Sequence, residues 1–411
     1  MLADTLPRYD ARYASLPVLG PHLDGLVEWL RGQGYPDDAI RRRISAAGRL
    51  DARLGHDGVR RPHDLSATCL LAYAPANAIE DVYLSAVVRS FTRYFDEQGV
   101  LVPAPATPSA TLVVQYRAYL ERVRGLSAGT VRNHGDTIAQ FLAHLRTDDA
   151  PDRLRELHPR RIEEFLQIAS TRQARAALQQ TVAHLRSFLR FLVTSGLVPE
   201  GFGIPIDTPR VYRHERLPRA LPWETVQALL RAIDRSTPQG RRDYAMLLLI
   251  ATYGLRGCEV VKLTLDDVQW RANRLHVRRS KVDTPLVLPL TPEVGDALLD
   301  YLQHGRPELP CREIFLRVRA PAGSLKRSAV PEVFQCWARR SGLPIPFQGA
   351  HCLRHSLAVH LLRQGTSLKA IGDLLGHRSI ESTCVYLRLN VEDLREVALD
   401  LPVEAHQEDR S

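Results

Sequence analysis

Two proline-rich stretches, VLVPAPATPSA at 100–110 and GFGIPIDTPRVYRHERLPRALP at 201–222, cut this chain of 411 residues into three parts. Proline has no backbone donor and disfavours helix in the residue before it, so neither stretch can sit inside a helix or a central strand. Both read as linkers. The parts they leave are 1–103, 110–200 and 218–411, with 201–217 as the longer connection. Each part is long enough to bury a core of its own.

The first two parts look like copies of one unit. GYPDDAIRRRISAAGRLDARL (34–54) aligns without a gap on GLSAGTVRNHGDTIAQFLAHL (125–145), matching Gly34 with Gly125, Ile40 with Val131, Arg41 with Arg132 and Leu54 with Leu145. Further on, VRSFTRYFDEQGVLVP (88–103) matches LRSFLRFLVTSGLVP (185–199) with one gap. Apolar residues at helical spacing, such as Leu185, Phe188, Leu189 and Leu192, mark both as amphipathic helices, and each ends on a glycine suited to a helix cap. Two tandem helical bundles are expected. The bland alternative is that unrelated amphipathic helices match by chance, and the shared RSFxR ending argues against it.

The third part has a different grain. LPWETVQALLRAID opens a helix, and RRDYAMLLLIATYG is nearly all apolar, so it belongs at the centre of a core. RLHVRRSKVDTPLVLPL (274–290) alternates and is rich in β-branched residues, the pattern of an antiparallel hairpin or small sheet. Helices are expected at 292–304, 329–341, 353–364, 367–375 and 379–387. The fold class is therefore mainly α with a small antiparallel β-sheet, an α+β domain preceded by helical bundles.

A formal net charge of +9 favours a polyanionic partner, nucleic acid first, although many basic proteins bind none. The six cysteines form no CxxC pair, so neither a zinc ribbon nor a thioredoxin-like site is indicated, and their scatter suits a reducing cytosol. The N-terminus lacks a basic region followed by an apolar run, and no apolar stretch reaches the roughly 18 residues of a membrane span. A cytoplasmic protein with no membrane partner is expected. Nothing resembles a phosphate-binding P-loop.

Four stretches of the third part stand out in order: TYGLRGCEV (252–260), RRSKVDTPLVLPL (278–290), HCLRHSLAVHLLRQG (351–365) and LLGHRSIESTCVY (374–386). Together they resemble the catalytic domain of the tyrosine recombinases, the phage-integrase family. The family pattern is an arginine in a GLRxxE turn, a lysine on a β-hairpin, H-x-x-R, and LGH followed nine residues later by tyrosine. The likeness covers about 218–400, and more weakly 110–200, which is similar to that family's helical, SAM-like core-binding domain. One such motif would be weak. Alone, Arg256 reads as a solvated helix-end arginine, Lys281 as a surface hairpin lysine, and His377 and Tyr386 as structural residues. In fixed order and spacing they form a set.

The chemistry fits the resemblance. A phosphodiester gains negative charge in its transition state, and the permanently charged guanidinium binds two oxygens at once. Arg256 and Arg354 would clamp the phosphate. His351, three residues before Arg354, shares its helix face, and His377 follows a helix-ending glycine, so both can add donors. Tyr386 is the candidate nucleophile. Its phenol, with an ordinary pKa of about 10, needs a positive pocket and a proton acceptor, for which His351 is the first candidate. By resemblance, Lys281, eight residues before Pro289, protonates the leaving 5′-hydroxyl. Glu259 orients an arginine or histidine.

His351 and His355 are spaced i, i+4 like a metal pair, but no glutamate follows the first and no third ligand is evident, so no metal is expected. His355 and His360 read as packing or capping residues of the RHSLAVHLL helix. Lys326 and Arg327, before the amphipathic helix in 330–344, and Arg132 in the second part are candidate DNA contacts.

The resemblance implies a site-specific recombinase acting on double-stranded DNA through a 3′-phosphotyrosyl link, with no cofactor. It further implies a C-shaped clamp and a homo-tetramer on two DNA sites, possibly joined by related recombinases. NVEDLREVALDLP (390–402) would dock on a neighbouring protomer. The rival readings are a type IB topoisomerase, which rejoins the same strand, and a catalytically silent DNA-binding relative.

Overall fold

The computed structural model describes residues 13–389 apart from 76, 78–80, 104, 105, 151–153, 155, 156, 199–205, 211–217, 280–285, 348 and 378. Over these residues the protein is mainly helical with one small antiparallel sheet. Its contacts divide it into two units, one of residues 1–62, 71–98 and 217–411, the other of 63–70 and 99–216.

In the first unit, α1 (Leu23–Gly32) buries Leu23, Leu26, Val27 and Leu30, a single stripe at i, i+3, i+4 and i+7. α2 (Asp37–His56) begins with two aspartates, which complement the positive end of the helix dipole, and buries Ile40, Ile44, Leu50 and Leu54. Its Asp51 is buried but satisfied, accepting from the backbone N–H groups of Val18 at 3.0 Å and Leu19 at 2.7 Å. α3 (Val82–Glu97) is capped by Asp81, which accepts from Leu84 N at 2.9 Å.

The second unit holds α4 (Pro108–Arg122), α5 (Ala128–Leu145), α6 (Pro159–Arg172) and α7 (Arg175–Thr194). Thr107 and Ser127 cap α4 and α5 through their hydroxyls, as their β-region backbone permits. Tyr116, Ile138, Phe141, Leu185, Phe188 and Leu192 close the core. The glycines aligned in the sequence share one conformation: Gly34 and Gly125 have φ of 77° and 60°, and Gly99 and Gly196 have φ of 65° and 68°. The aligned Ser90 and Ser187 are both buried.

The rest of the first unit carries the recombinase-like motifs. α8 (Trp223–Arg231) precedes α9 (Pro238–Tyr253), whose run from Ala245 to Ala251 is buried throughout, as its apolar sequence predicts. At the start of α9, buried Asp243 accepts from Arg242 and, at 2.9 Å, from Trp337 Nε1. α10 (Gly257–Val261) follows after a short turn. The sheet runs β1 (Val268–Gln269), β2 (Arg274–Val277), β3 (Leu286–Pro289), with Leu275 opposite Leu288 and Val277 opposite Leu286. The helices α11 (Pro292–His304), α12 (Ala329–Arg340), α13 (His351–Arg363), α14 (Leu368–Leu375) and α15 (Glu381–Cys384) complete it, followed by a 3-10 turn at Val385–Leu389. The first four match the expected helices, with α13 starting two residues earlier, at His351, whereas the helix expected over 379–387 is only four residues long and gives way to the 3-10 turn. His360 packs as expected, its ring stacked 4.2 Å from that of Trp223.

Candidate active site

The site is built around the end of α14. Gly376 takes φ 64°, a left-handed cap that glycine adopts without strain. His377 N donates to Gly372 O at 2.9 Å and Gly376 N to Asp373 O at 3.1 Å, the paired bonds of a Schellman motif. Three carbonyls, those of Leu374, Leu375 and Gly376, still need donors. Arginines supply them. Arg354 Nη2 donates to Leu375 O, Arg256 Nη2 to Gly376 O at 3.3 Å, and Arg279 Nη2 to Leu374 O at 2.8 Å and Asp373 O at 3.0 Å. The negative end of the helix dipole favours all three.

Arg354 is only 2% exposed. Its Nη1 donates to Gly254 O, at the C-cap of α9, so one guanidinium joins two helix ends. Gly254 is required twice: its φ is 64°, and a Cβ there would collide with Leu375 and meet Leu357 Cδ2 at 3.3 Å. Burial, then the nearby Arg256, pushes the pKa of Arg354 down to about 10, which leaves it charged at neutral pH. Arg256 is the N-cap of α10. Buried Glu259 accepts from its backbone N–H and its Nη1, both at 2.8 Å, which holds the guanidinium towards α14. Glu259 is thus bonded twice to Arg256.

Tyr386, on the 3-10 turn, is 1% exposed and packs with Ala358, Val359, Ile371 and Leu375. Its hydroxyl meets Nδ1 of His355 at 2.9 Å. Burial raises the tyrosine's pKa and Arg354 partly opposes that, so the phenol is neutral. His355 is pushed down to about 4, by burial first and then by His351, Arg354 and His377, so at neutral pH it is an uncharged hydrogen-bonding base. His377 is also held near about 4, by burial and then by Arg354 and Arg256. Its Nδ1 bonds Thr383 Oγ1 at 2.8 Å, and its ring stacks 6.3 Å from that of Tyr386. His351, at the exposed start of α13, lies edge-on to His355 at 4.6 Å, its pKa lowered by desolvation and then by Arg354 and Arg256.

Arginines at a helix end, uncharged histidines and a buried phenol come from segments 250–260, 279, 351–355 and 373–386, the order of the motifs. Comparison with known proteins agrees. The model of the phage integrase family matches residues 219–393, and that of its N-terminal SAM-like domain matches 113–196. The "Putative integrase/recombinase y4rA" of Sinorhizobium fredii is 32% identical over 95% of this chain and 97% of its own. The tyrosine recombinase XerD of Listeria innocua is 31% identical over 70% of this chain and 96% of its own.

The chain belongs to the phage integrase family, the tyrosine recombinases.

The fold agrees at lower identity. A XerH site-specific recombinase solved on its difH substrate superposes with a TM-score of 0.54 at 17% identity, covering 74% of this chain and 92% of that one. Neither family model reaches residues 1–112 of this recombinase, whereas the likeness to y4rA spans nearly the whole chain.

Of the residues singled out in the sequence, the structure brings together Arg256, Glu259, His351, Arg354, His377 and Tyr386. Lys281 and the 390–402 segment lie outside the described residues. Arg132 is exposed on α5, in the other unit. Lys326 and Arg327 are exposed just before α12, and Lys326 lines an open cleft of about 600 Å³ with Arg242, Arg317 and Arg319. Among the described residues, no three His, Cys, Asp or Glu side chains gather as a metal site, and no helix is long and apolar enough to cross a membrane.

Two residues escaped the motif reading. His355 reads as a packing or capping residue in the sequence, and the structure corrects this: it is the direct partner of the tyrosine hydroxyl. Its place one turn after His351 on the same helix face is visible in the sequence, but i, i+4 spacing does not say what the ring touches. Arg279 had no signal beyond the basic run RRSK.

Proposed function

We propose that this tyrosine recombinase performs site-specific recombination of double-stranded DNA, integrating, excising or transposing a mobile element. The observation that carries the proposal is the gathering of Arg256 and Arg354 on one helix end beside the buried hydroxyl of Tyr386. In the reaction, the two arginines bind the non-bridging oxygens of the scissile phosphate and stabilise the charge it gains. The Tyr386 oxygen forms a bond to phosphorus while the bond to the 5′-oxygen breaks, leaving a 3′-phosphotyrosyl link. The phenolic proton passes to a neutral histidine. His355 is the one in contact, and the transfer accompanies P–O bond formation because its basicity is low. Lys281, by family likeness, protonates the departing 5′-oxygen. A 5′-hydroxyl from the partner strand then reverses these steps. Phosphotyrosine conserves the bond energy, so the chemistry requires neither ATP nor a metal.

Four strands are cut when two duplexes recombine, and each protomer has one such tyrosine, so the active form is a homo-tetramer on DNA in the cytoplasm, open to related recombinases as partners. The matched left-handed glycines support reading 1–103 as a second copy of 110–200, an extra grip on DNA or on a neighbouring protomer. Lys326, Arg327 and Arg132 bind backbone phosphates.

The test is covalent trapping. A duplex is selected from a random-sequence library by binding to the full-length protein, then nicked and incubated with it. An SDS-resistant adduct is expected and Tyr386→Phe should lose it; an adduct that survives Tyr386→Phe would sink the assignment. Relaxation of plasmids bearing two selected sites, with no exchange between them, would favour the topoisomerase reading.

A further inference from the structure

Arg279 is bonded to the same helix end as Arg256 and Arg354, yet the steps above make no use of it. We propose that Arg279 is a third arginine of the phosphate site, a positioning residue that fixes the last turn of α14 and adds positive charge there. This rests on the reading that the scissile phosphate binds Arg256 and Arg354.

Geometry supports it first. β2 is pinned to β3 up to Val277, so the backbone of Arg279, two residues on, starts from a fixed point. Its guanidinium spans Asp373 O and Leu374 O. It also fills the space that a side chain at Gly376 would take: a Cβ there would fall against the Arg279 guanidinium, with Nε 3.0 Å away. Arg279 therefore sets where the α14 turn ends. That turn places Gly376 O for Arg256, Leu375 O for Arg354, and His377 beside Tyr386. One side chain steadies three others.

Charge is the second support. Two backbone carbonyls can be bonded by a neutral amide. A guanidinium is the harder choice, because desolvation lowers the pKa of Arg279 and Arg256 lowers it further. Glu259 and Asp373 are the carboxylates that oppose this. Three guanidiniums against two carboxylates, with His355 and His377 uncharged, leave an excess positive charge that an incoming phosphate would neutralise. The adjacent Arg278 makes the contrast. Its side chain is 75% exposed and faces Asp267 at 3.6 Å.

The experiment compares Arg279→Gln, Arg279→Lys and Arg278→Gln with the wild type on the selected nicked duplex, at saturating DNA in single-turnover trapping. Glutamine keeps donors without charge, and lysine keeps charge without the fork. Arg279→Gln should cleave about 30-fold more slowly, short of the loss from removing a direct donor, with duplex affinity within about threefold. Arg279→Lys should fall between, and Arg278→Gln should match the wild type. The rate–pH profile of Arg279→Gln should move to higher pH, because a cation that disfavours protonation of His377 has gone; a merely loosened fold would lower the rate equally at every pH. Wild-type cleavage by Arg279→Gln, or a loss of binding as large as the loss of cleavage, overturns the proposal. If the wild type forms no Tyr386-dependent adduct, the phosphate-site reading itself fails, and the role of Arg279 with it. An adduct that Arg279→Gln forms at full rate removes Arg279 alone.

Discussion

Each unit of this protein buries a tyrosine whose hydroxyl meets Nδ1 of a histidine at 2.9 Å: Tyr116 with His134 in the helical unit, Tyr386 with His355 in the other. Both histidines are held near about 4 and both tyrosines are raised, chiefly by burial. The pairs differ in company. Tyr116 lies on the fifteen-residue α4, locked by Phe188 and Phe191 at 5.1 and 5.3 Å, and its histidine lies against His184 with ring centroids 3.9 Å apart. Tyr386 lies on a five-residue 3-10 turn after a four-residue helix, beside an arginine that holds two helix ends. A perturbed pKa alone therefore does not separate a core from an active site. What sets the Tyr386 pair apart is the buried Arg354, whose guanidinium joins two helix ends, and the short element that carries the tyrosine.

The sharpest way to break this comparison is to remove each hydroxyl. Tyr386→Phe should abolish the covalent adduct, and Tyr116→Phe should leave it; equal losses would erase the distinction. Next in size, Arg354→Ala should lower single-turnover cleavage by about 10³-fold and stability by about 3 kcal/mol, because it strips donors from two buried carbonyls. Arg256→Ala should cost about 10²-fold in cleavage with little change in urea midpoint, since Arg256 is more exposed. His355→Ala should slow adduct formation by about 10²-fold, more than His351→Ala does. The reverse order would return the acceptor role to His351.

A separate effect, which leaves the chemistry untouched, is on stability against pH. His134 takes a proton near about 4 when folded and near 6.5 when unfolded, so between these values the unfolded chain binds more protons. Its contribution is intact above about pH 6.5 and is lost as pH falls towards 4, by at most about 3 kcal/mol. Urea unfolding of the full chain at pH 7.5 and 4.5, followed in the helical unit, should show this, and His134→Gln should flatten it. If the dependence persists in His134→Gln, the buried histidine pair is not its source.

Much of the fold was legible because it is written in local periodicities. The buried run of α9, the strands β2 and β3 and the glycine ends of α9 and α14 each follow from residues within one turn or strand. The set of Arg256, Glu259, His351, Arg354, His377 and Tyr386 was legible because their order and spacing form one pattern. His355 and Arg279 were not, because their roles depend on residues 31 and 94 or more positions away.

By itself, the sequence determined the helical class, the small sheet and which arginines and tyrosine belong together, since helix caps, strand alternation and motif spacing are properties of neighbouring residues. The tertiary structure decided which histidine touches the buried hydroxyl of Tyr386. It also decided that the arginines meet on the carbonyls of a single helix end. The reason is physical. A helix C-terminus leaves its last carbonyls without partners inside the helix, and only the folding of distant segments determines which cations reach them.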